Sequence, residues 1–274
     1  MIWLCATCGN EFSNNRPAVC PLCEDDRQYL PAGGQIWTTL DTLQETRTAT
    51  VRELEPDLYS ITISPSVGIG HRGLLVRTGQ GNLLFDAPGY FDDALIATLR
   101  DLGGIAAIAS SHPHLTGLSI SLSQTFGGVP IWVNDDNRRW VMKPDPAITY
   151  WLDRAEPLPG LSLVQCGGHF AGSAVLHWPA GAEGRGAILT GDTISDNTDR
   201  KTVTFLRSFP NRIPLSERSV RKIVAAVEPL AFDRLYSGFE PGIIADGAKE
   251  SVRYSADRYI GWITDTIRDP DERR

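Results

Sequence analysis

The sequence predicts a mixed α/β protein in which two β-sheets pack face to face with helices on their outer sides, preceded by a small metal-stabilised module. Short apolar stretches of strand length alternate with turns through most of the chain, and two amphipathic helical patterns close it. Four cysteines fall in two closely spaced pairs near the start. The length of 274 residues accommodates one large domain and one small module.

The cysteine pairs predict a metal site with four sulfur ligands. Two residues separate Cys5 from Cys8 and Cys20 from Cys23, and each such turn directs two thiolates to one point. The segment over residues 1–30, which we call the ribbon, resembles a rubredoxin-like zinc ribbon with a short middle loop. Zinc is the expected metal of a closed structural site, and iron is the alternative. Two disulfides are a competing interpretation, which the lack of a signal-peptide pattern disfavours.

A linker over residues 31–48 is predicted to join the ribbon to a larger domain over residues 49–274. Pro31 and Gly33-Gly34 interrupt any periodic pattern there. Strand patterns then follow one another, over residues 50–54, 58–63, 73–77 and 82–86. A helix is expected over residues 91–102, where leucines recur at helical spacing.

Three later strand patterns end in residues that can bind a metal. The patterns cover residues 105–109, 161–166 and 186–190. His112 and His114 follow the first, His169 follows the second, and Asp192 follows the third. Folds of this class place their chemistry at strand ends, and neutral imidazole is the commonest side-chain ligand. The competing interpretation is that these histidines only form hydrogen bonds with one another or with water.

The remaining elements follow from periodicity and capping residues. Strands are predicted over residues 127–133 and 173–178, and the Pro-rich stretch over residues 144–159 is predicted to be an irregular loop. Ser216 is a suitable N-cap for a helix with a regular apolar face. A last helix is expected over residues 248–268.

The order of these motifs resembles that of the metallo-β-lactamase fold family of metallo-hydrolases, over about residues 50–240. Asp86, after an early strand, matches an aspartate that supports the metal site in that family, and Tyr236-Ser-Gly-Phe239 matches a late strand end. The resemblance implies an αββα sandwich of two mixed sheets with outer helices. It also implies a zinc ion, or another divalent metal, bound by His112, His114, His169 and Asp192.

The match to the family's metal ligands is partial. Thr116 and Gly117 stand where the family's first motif has an aspartate and a histidine, and Phe239 stands where the late histidine is usual. All three differences belong to the family's second metal position. The resemblance therefore implies one catalytic metal. Restoring the three family residues is expected to add a second metal, provided that the backbone at Gly117 tolerates a side chain.

The resemblance implies a metal-dependent hydrolase of a small molecule that carries an ester, amide, thioester or phosphodiester bond. Asp192 would complete the coordination of the metal, or orient and deprotonate the attacking water. The main alternative is a catalytically inactive binding or scaffold protein in which only the ribbon holds a structural zinc. Electron transfer through an iron-containing ribbon is a third interpretation, which the ligand residues favour least.

Two further residues are candidates for substrate contact. His71 and Arg72 lie in a glycine-rich loop. In the resembled family the corresponding loop can overhang the metal, but an exposed turn is the slightly preferred interpretation. The net charge of −7 argues against a general nucleic-acid partner. No apolar stretch is long enough to span a membrane, and a cytoplasmic location is expected. The pattern does not indicate an oligomeric state.

Overall fold

The computed structural model describes residues 1–272. Its N-terminal part is a three-stranded antiparallel sheet in the order β2-β1-β3. The elements are β1 (Trp3–Cys5), β2 (Glu11–Phe12), α1 (Pro21–Glu24), β3 (Trp37–Thr39) and α2 (Leu40–Gln44). The segment predicted as a linker, residues 31–48, therefore contains a strand that pairs with the ribbon and a short helix. A three-residue strand is too short to be recognised from periodicity.

A seven-stranded mixed sheet follows the ribbon. Its elements are β4 (Thr48–Glu55), β5 (Leu58–Ser64), β6 (Gly73–Thr78), β7 (Gly81–Phe85), α3 (Asp93–Asp101), β8 (Ala107–Ala109), α4 (Ser119–Thr125), β9 (Ile131–Asn134) and β10 (Ile148–Trp151). The strand order is β10-β9-β8-β7-β6-β5-β4. Strands β4 to β7 pair antiparallel, whereas β7 to β10 pair parallel, so the carboxyl ends of β7, β8 and β9 lie at one edge.

The second large sheet has six strands, in the order β11-β12-β13-β14-β19-β20. The elements of this half are β11 (Arg154–Leu158), β12 (Leu161–Gln165), β13 (Ala174–Trp178), β14 (Ala187–Gly191), β15 (Ser195–Asp196), β16 (Val203–Thr204), β17 (Leu206–Ser208), β18 (Ile213–Pro214), α5 (Glu217–Val227), β19 (Arg234–Ser237), β20 (Ile243–Ile244) and α6 (Ala248–Ile263). Strands β15 and β16 form one small hairpin, and β17 and β18 form another.

Three apolar layers hold the sandwich together. The middle layer joins the two sheets, with Val76 and Phe85 on one side and Leu163 and Leu176 on the other. The first sheet packs its outer face against α3 and α4, and the second packs against α5 and α6. The fold class predicted from the sequence, an αββα sandwich with a small N-terminal ribbon, is confirmed. No helix within residues 1–272 combines the length and the apolar character needed to cross a membrane.

Most predicted elements are confirmed within one to three residues at their ends, and Ser216 caps α5 by accepting from the Ser219 backbone N–H. The prediction of an irregular loop over residues 144–159 is wrong, because β10 and β11 lie there. The prolines suggested a loop, but Pro157 lies in the edge strand β11, where a missing N–H is tolerated. The last helix ends at Ile263 and not at residue 268.

The ribbon is docked on the loop after β8 and on the start of α4 through two buried polar side chains. Asn10 donates from Nδ2 to the Pro113 carbonyl at 2.8 Å, and its Oδ1 accepts from the Gly117 N–H at 2.8 Å. Glu11 Oε1 accepts from the first N–H groups of α4, those of Ile120 and Ser121, at 2.6 and 3.0 Å. These bonds satisfy helix-terminal and turn N–H groups that have no partner within their own element.

We predict that Glu11→Gln lowers the free energy of unfolding by about 1–3 kcal/mol, because a charged acceptor at the start of α4 is replaced by a neutral amide. The amide also places a donor near the Lys143 ammonium, which lies 2.7 Å from Glu11 Oε2. Urea denaturation of the two proteins at equal metal content measures the difference. Glu24→Gln, at an exposed position of the ribbon, is the control and is expected to change stability little. Equal losses in both variants would contradict the docking role of Glu11.

Candidate metal centres

Strand ends from both sheets bring the four predicted site residues together. His112 and His114 follow β8, His169 follows β12, and Asp192 follows β14. Nitrogen atoms of the three imidazole rings lie within 4.8 Å of one another. Asp192 Oδ2 is 3.5 Å from His112 Nε2 and 3.9 Å from His169 Nε2. All four side chains are buried.

Hydrogen bonds on the far side of two imidazole rings fix which nitrogen points into the cluster. His169 Nδ1 lies 3.1 Å from the Leu206 carbonyl, which can only accept, so Nδ1 carries the proton. His112 Nδ1 lies 3.0 Å from the Ser111 hydroxyl, which itself donates to Asp86 Oδ2 at 3.0 Å. That hydroxyl therefore accepts from His112, and Nε2 is left with a free lone pair in both rings. Asp86 thus acts on His112 through Ser111, as expected of a residue behind the ligands.

Burial keeps all three imidazoles neutral. It lowers the pKa of His169 to about 3 and the pKa of His114 to about 4, and it lowers the pKa of His112 well below its usual value. Neutral imidazole is the form that binds a metal. Burial also raises the pKa of Asp192 to about 7. The cluster consequently offers three free nitrogen lone pairs and a carboxyl group near neutral pH.

The buried atoms of this cluster fit a metal ion. Four of them have no hydrogen-bond partner among residues 1–272: His112 Nε2, His114 Nε2, His169 Nε2 and Asp192 Oδ1. Buried polar atoms without a partner are rare in proteins, and each requires an explanation. A divalent cation explains all four together, since three imidazole nitrogens and one carboxylate oxygen are a common donor set for zinc.

A cavity of about 340 Å³ opens above this cluster. His114, His169 and Asp192 lie at its polar side, while Ile69, Phe209 and Phe239 contribute apolar surface. The ribbon also contributes lining residues, namely Arg27, Gln28 and Tyr29. The volume is in the range of pockets that bind small molecules.

The backbone leaves no room for the histidine that the family has at position 117. Gly117 has φ of +49°, and a Cβ atom there would lie 2.0 Å from the Ala87 carbonyl oxygen and 2.7 Å from that of Pro88. The neighbouring Thr116 hydroxyl donates to the Pro113 carbonyl, and Phe239 lines the cavity. A steric obstacle at Gly117 therefore opposes the expectation that restoring the three family residues adds a second metal.

His71 and Arg72 do not line the cavity. Arg72 is fully buried and donates to the carbonyls of Ser237 and Gly242, while His71 Nε2 lies 2.8 Å from the Ala87 carbonyl. Burial lowers the pKa of Arg72 to about 10 and that of His71 to about 4. We therefore correct the prediction that these two residues contact substrate. The same loop reaches the cavity through its earlier residues Gly68 and Ile69.

The four ribbon cysteines form the second candidate metal site. All four are buried free thiols, which excludes the two disulfides considered from the sequence. Sγ of Cys5 is 3.7 Å from that of Cys23, and Sγ of Cys8 is 3.9 Å from that of Cys20. Four sulfurs at about 2.3 Å around a zinc ion are separated by about 3.8 Å in a regular tetrahedron. Hydrogen bonding with Cys20 lowers the pKa of Cys5 far below that of an ordinary thiol, so a thiolate is available.

Several residues of the candidate site could not be identified from the sequence. Asn10, Arg27 and Tyr29 belong to the ribbon, and only its docking brings them to the histidine loops. Phe209 reaches the cavity from the segment between β17 and β18. The one available signal was the shortness of the ribbon, because a module without its own core must pack on a neighbour.

The uncharacterized protein YmaE of Bacillus subtilis (strain 168) is similar to almost the whole chain. The two sequences are 41% identical over 263 residues, which cover 94% of this chain and 95% of YmaE. No protein-family model matches the chain.

Solved structures of metallo-β-lactamases share the fold at low sequence identity. DIM-1 metallo-β-lactamase exposed to ceftazidime is 14% identical, with a TM-score of 0.57, over 77% of this chain and 97% of that one. The metallo-β-lactamase from Pontibacter korlensis is 16% identical, with a TM-score of 0.55, over 77% and 99%. FIM-1 from Pseudomonas aeruginosa, in its mono-zinc form, is 17% identical, with a TM-score of 0.54, over 76% and 96%. At such identities the similarity establishes the fold.

We predict that Gly117→Ala lowers the free energy of unfolding by about 3 kcal/mol or more, because the new Cβ collides with the Ala87 backbone. Gly127→Ala is the matched control. Gly127 also has a positive φ, of +87°, but no atom of the described chain lies within 4 Å of its added Cβ. Only the cost of the left-handed conformation, about 1 kcal/mol, is expected there. Equal losses by urea denaturation would show that position 117 has room for a side chain.

Proposed function

We propose that this chain, which belongs to the same family as the uncharacterized Bacillus subtilis protein YmaE, is a metal-dependent hydrolase with a single catalytic metal. The observation that carries the proposal is the convergence of four buried, unpartnered donor atoms beside one cavity. His112, His114 and His169 would hold the metal. Zinc is the expected ion, and another divalent cation is the alternative. The ribbon cysteines would hold a second, structural zinc.

A divalent metal held by these histidines would supply a Lewis acid and would make hydroxide available near neutral pH. The remaining tasks belong to side chains of the chain. Ser111 and the Leu206 carbonyl keep the proton on Nδ1 of His112 and His169, so that Nε2 stays free to bind. Asp192 either completes the coordination or orients the attacking water and accepts its proton.

The cavity supports a small-molecule substrate. Its volume of about 340 Å³ accommodates a compact molecule, and its apolar surface comes from Ile69, Phe209 and Phe239. A scissile ester, amide, thioester or phosphodiester bond would lie beside Asp192 and His169, with an apolar group of the substrate against Phe209 and Phe239. The expectation that the protein does not bind nucleic acid rests on its net charge alone.

We predict that the protein purified without added metal contains two metal ions per chain by elemental analysis. His114→Ala should lose one of them and keep the ribbon metal, because a three-histidine site weakened by one ligand binds poorly. Cys5→Ser should lose the ribbon metal. His177→Ala is the matched control and should retain both ions, since His177 lies within β13 and its Nε2 contacts the Ala231 carbonyl, which belongs to neither site. A wild-type chain with only the ribbon metal would favour the scaffold alternative over the hydrolase.

We predict that Asp192→Asn lowers the turnover of a chromogenic ester or phosphodiester about 10²- to 10⁴-fold, because the amide cannot accept a proton. Metal content measured on the same samples separates the two roles of Asp192. If the metal is retained, the carboxylate acts on the water; if it is lost, the carboxylate is a ligand. Asp199→Asn, at an exposed turn, is the control and should leave the rate unchanged. An Asp192→Asn enzyme with normal rate and metal content would refute both roles.

A further inference from the structure

The ribbon contacts the histidine loops directly from its second cysteine pair. Arg27, four residues after Cys23, donates from Nε to the His169 carbonyl at 2.6 Å. Its guanidinium group lies 4.3 Å from the centre of the Phe170 ring, and Nη1 is held by Asp25 at 2.6 Å. Arg27 is 9% exposed, so these contacts are made in a largely dry environment. The carbonyl that Arg27 binds belongs to a residue whose ring points at the candidate metal.

The first cysteine pair holds the loop between His112 and α4. The Cys5 N–H donates to the Asn10 carbonyl at 3.0 Å, which fixes Asn10 to the turn that carries the first two cysteines. The Asn10 side chain then bridges the Pro113 carbonyl and the Gly117 N–H. Pro113 lies between the two histidines that follow β8. Each cysteine pair is therefore followed by a residue that hydrogen-bonds to a loop presenting an imidazole: Asn10 after Cys8, and Arg27 after Cys23.

The same turn also packs against a wall of the cavity. A Cβ atom added to Gly68 would lie 2.5 Å from backbone atoms of Cys8 and Gly9, so the two backbones are in close contact. Gly68 and Ile69 line the cavity. The ribbon backbone thus packs directly against a loop that lines the cavity.

We propose that the ribbon is a positioning module of the histidine site, in which the cysteine-bound metal fixes Arg27 and Asn10, and these residues set the positions of His169 and His114. This inference rests on the proposed function, because it assumes that the histidines bind a catalytic metal. The ribbon's own buried apolar cluster consists of its cysteines with Phe12 and Leu22. So small a cluster does not keep a segment of this size folded without metal. Loss of the ribbon metal should therefore weaken metal binding at the histidine site, although no cysteine lies among the proposed ligands of that site.

Cobalt titration of the full chain, after removal of its metals, tests the inference. Co²⁺ bound by four thiolates gives an intense sulfur-to-metal absorption that a site of histidines lacks, so the two sites can be followed separately. We expect Arg27→Met to leave the thiolate spectrum intact and to weaken binding at the histidine site about tenfold or more, as is usual when a group behind the ligands is removed. Arg27→Lys should recover part of this affinity, because an ammonium group can still donate to the His169 carbonyl.

Arg207→Met is the matched control. Arg207 pairs with Asp26, next to Arg27 in the sequence, but its side chain binds this exposed carboxylate at 2.8 Å and not a histidine loop. Its replacement should leave both cobalt affinities unchanged. Cys23→Ser should abolish the thiolate spectrum and weaken the histidine site as well. That second effect is not expected of an independent module.

The outcomes separate this inference from the proposed function. The positioning role alone is overturned if the wild-type chain binds two cobalt ions and hydrolyses a test ester, while Arg27→Met and Cys23→Ser bind cobalt at the histidine site as tightly as the wild type does. A wild-type chain that binds cobalt only at the cysteines overturns the proposed function, and the positioning role with it. Weakening by Arg27→Met and Arg207→Met alike would also count against the inference, since it would reflect a general loss of stability.

Discussion

The docking of the first cysteine turn on the loop after β8 is the contact on which the arrangement of the candidate site depends. That loop carries two histidines, yet its backbone has few hydrogen bonds within its own element. Asn10 and Glu11 satisfy these groups from outside, through the Pro113 carbonyl and the N–H groups of Gly117, Ile120 and Ser121. Buried backbone groups need such partners. The ribbon therefore supplies hydrogen-bond partners that the loop after β8 lacks. The shape of the candidate site depends on the ribbon as well as on the two large sheets.

The same packing gives a physical reason why the proposed histidine site would hold one metal and not two. The segment around Gly117 lies so close to Ala87 and Pro88 that no side chain fits there, and the ribbon holds it in that place. Phe239 adds apolar surface to the cavity instead of a ligand. The positions at which the resemblance implied a second ion are thus occupied by backbone and apolar groups, whereas the donor atoms of His112, His114, His169 and Asp192 converge.

The histidine cluster is better suited to bind a cation than to stabilise the folded chain without one. Burial favours neutral imidazoles, and leaving a buried polar atom unpaired costs about 1–3 kcal/mol. Four such atoms lie together at the candidate site. Arg27, a permanent positive charge close to these rings, lowers their pKa further and keeps them in the form that binds metal. A site of this kind is costly unless its donor atoms are used.

The sequence by itself determined most strands, the two closely spaced cysteine pairs and the candidate set His112, His114, His169 and Asp192, and the order of these motifs resembled a family with the αββα fold. These features are local: they depend on periodicity, on the spacing of cysteines and on polar residues at strand ends, all of which can be read along one segment. Tertiary structure alone decided that Arg27 meets His169, that Arg72 is buried, and that Gly117 has no space for a side chain. Each of these depends on the distance between segments far apart in the chain, and side-chain patterns along one segment carry no information about such distances.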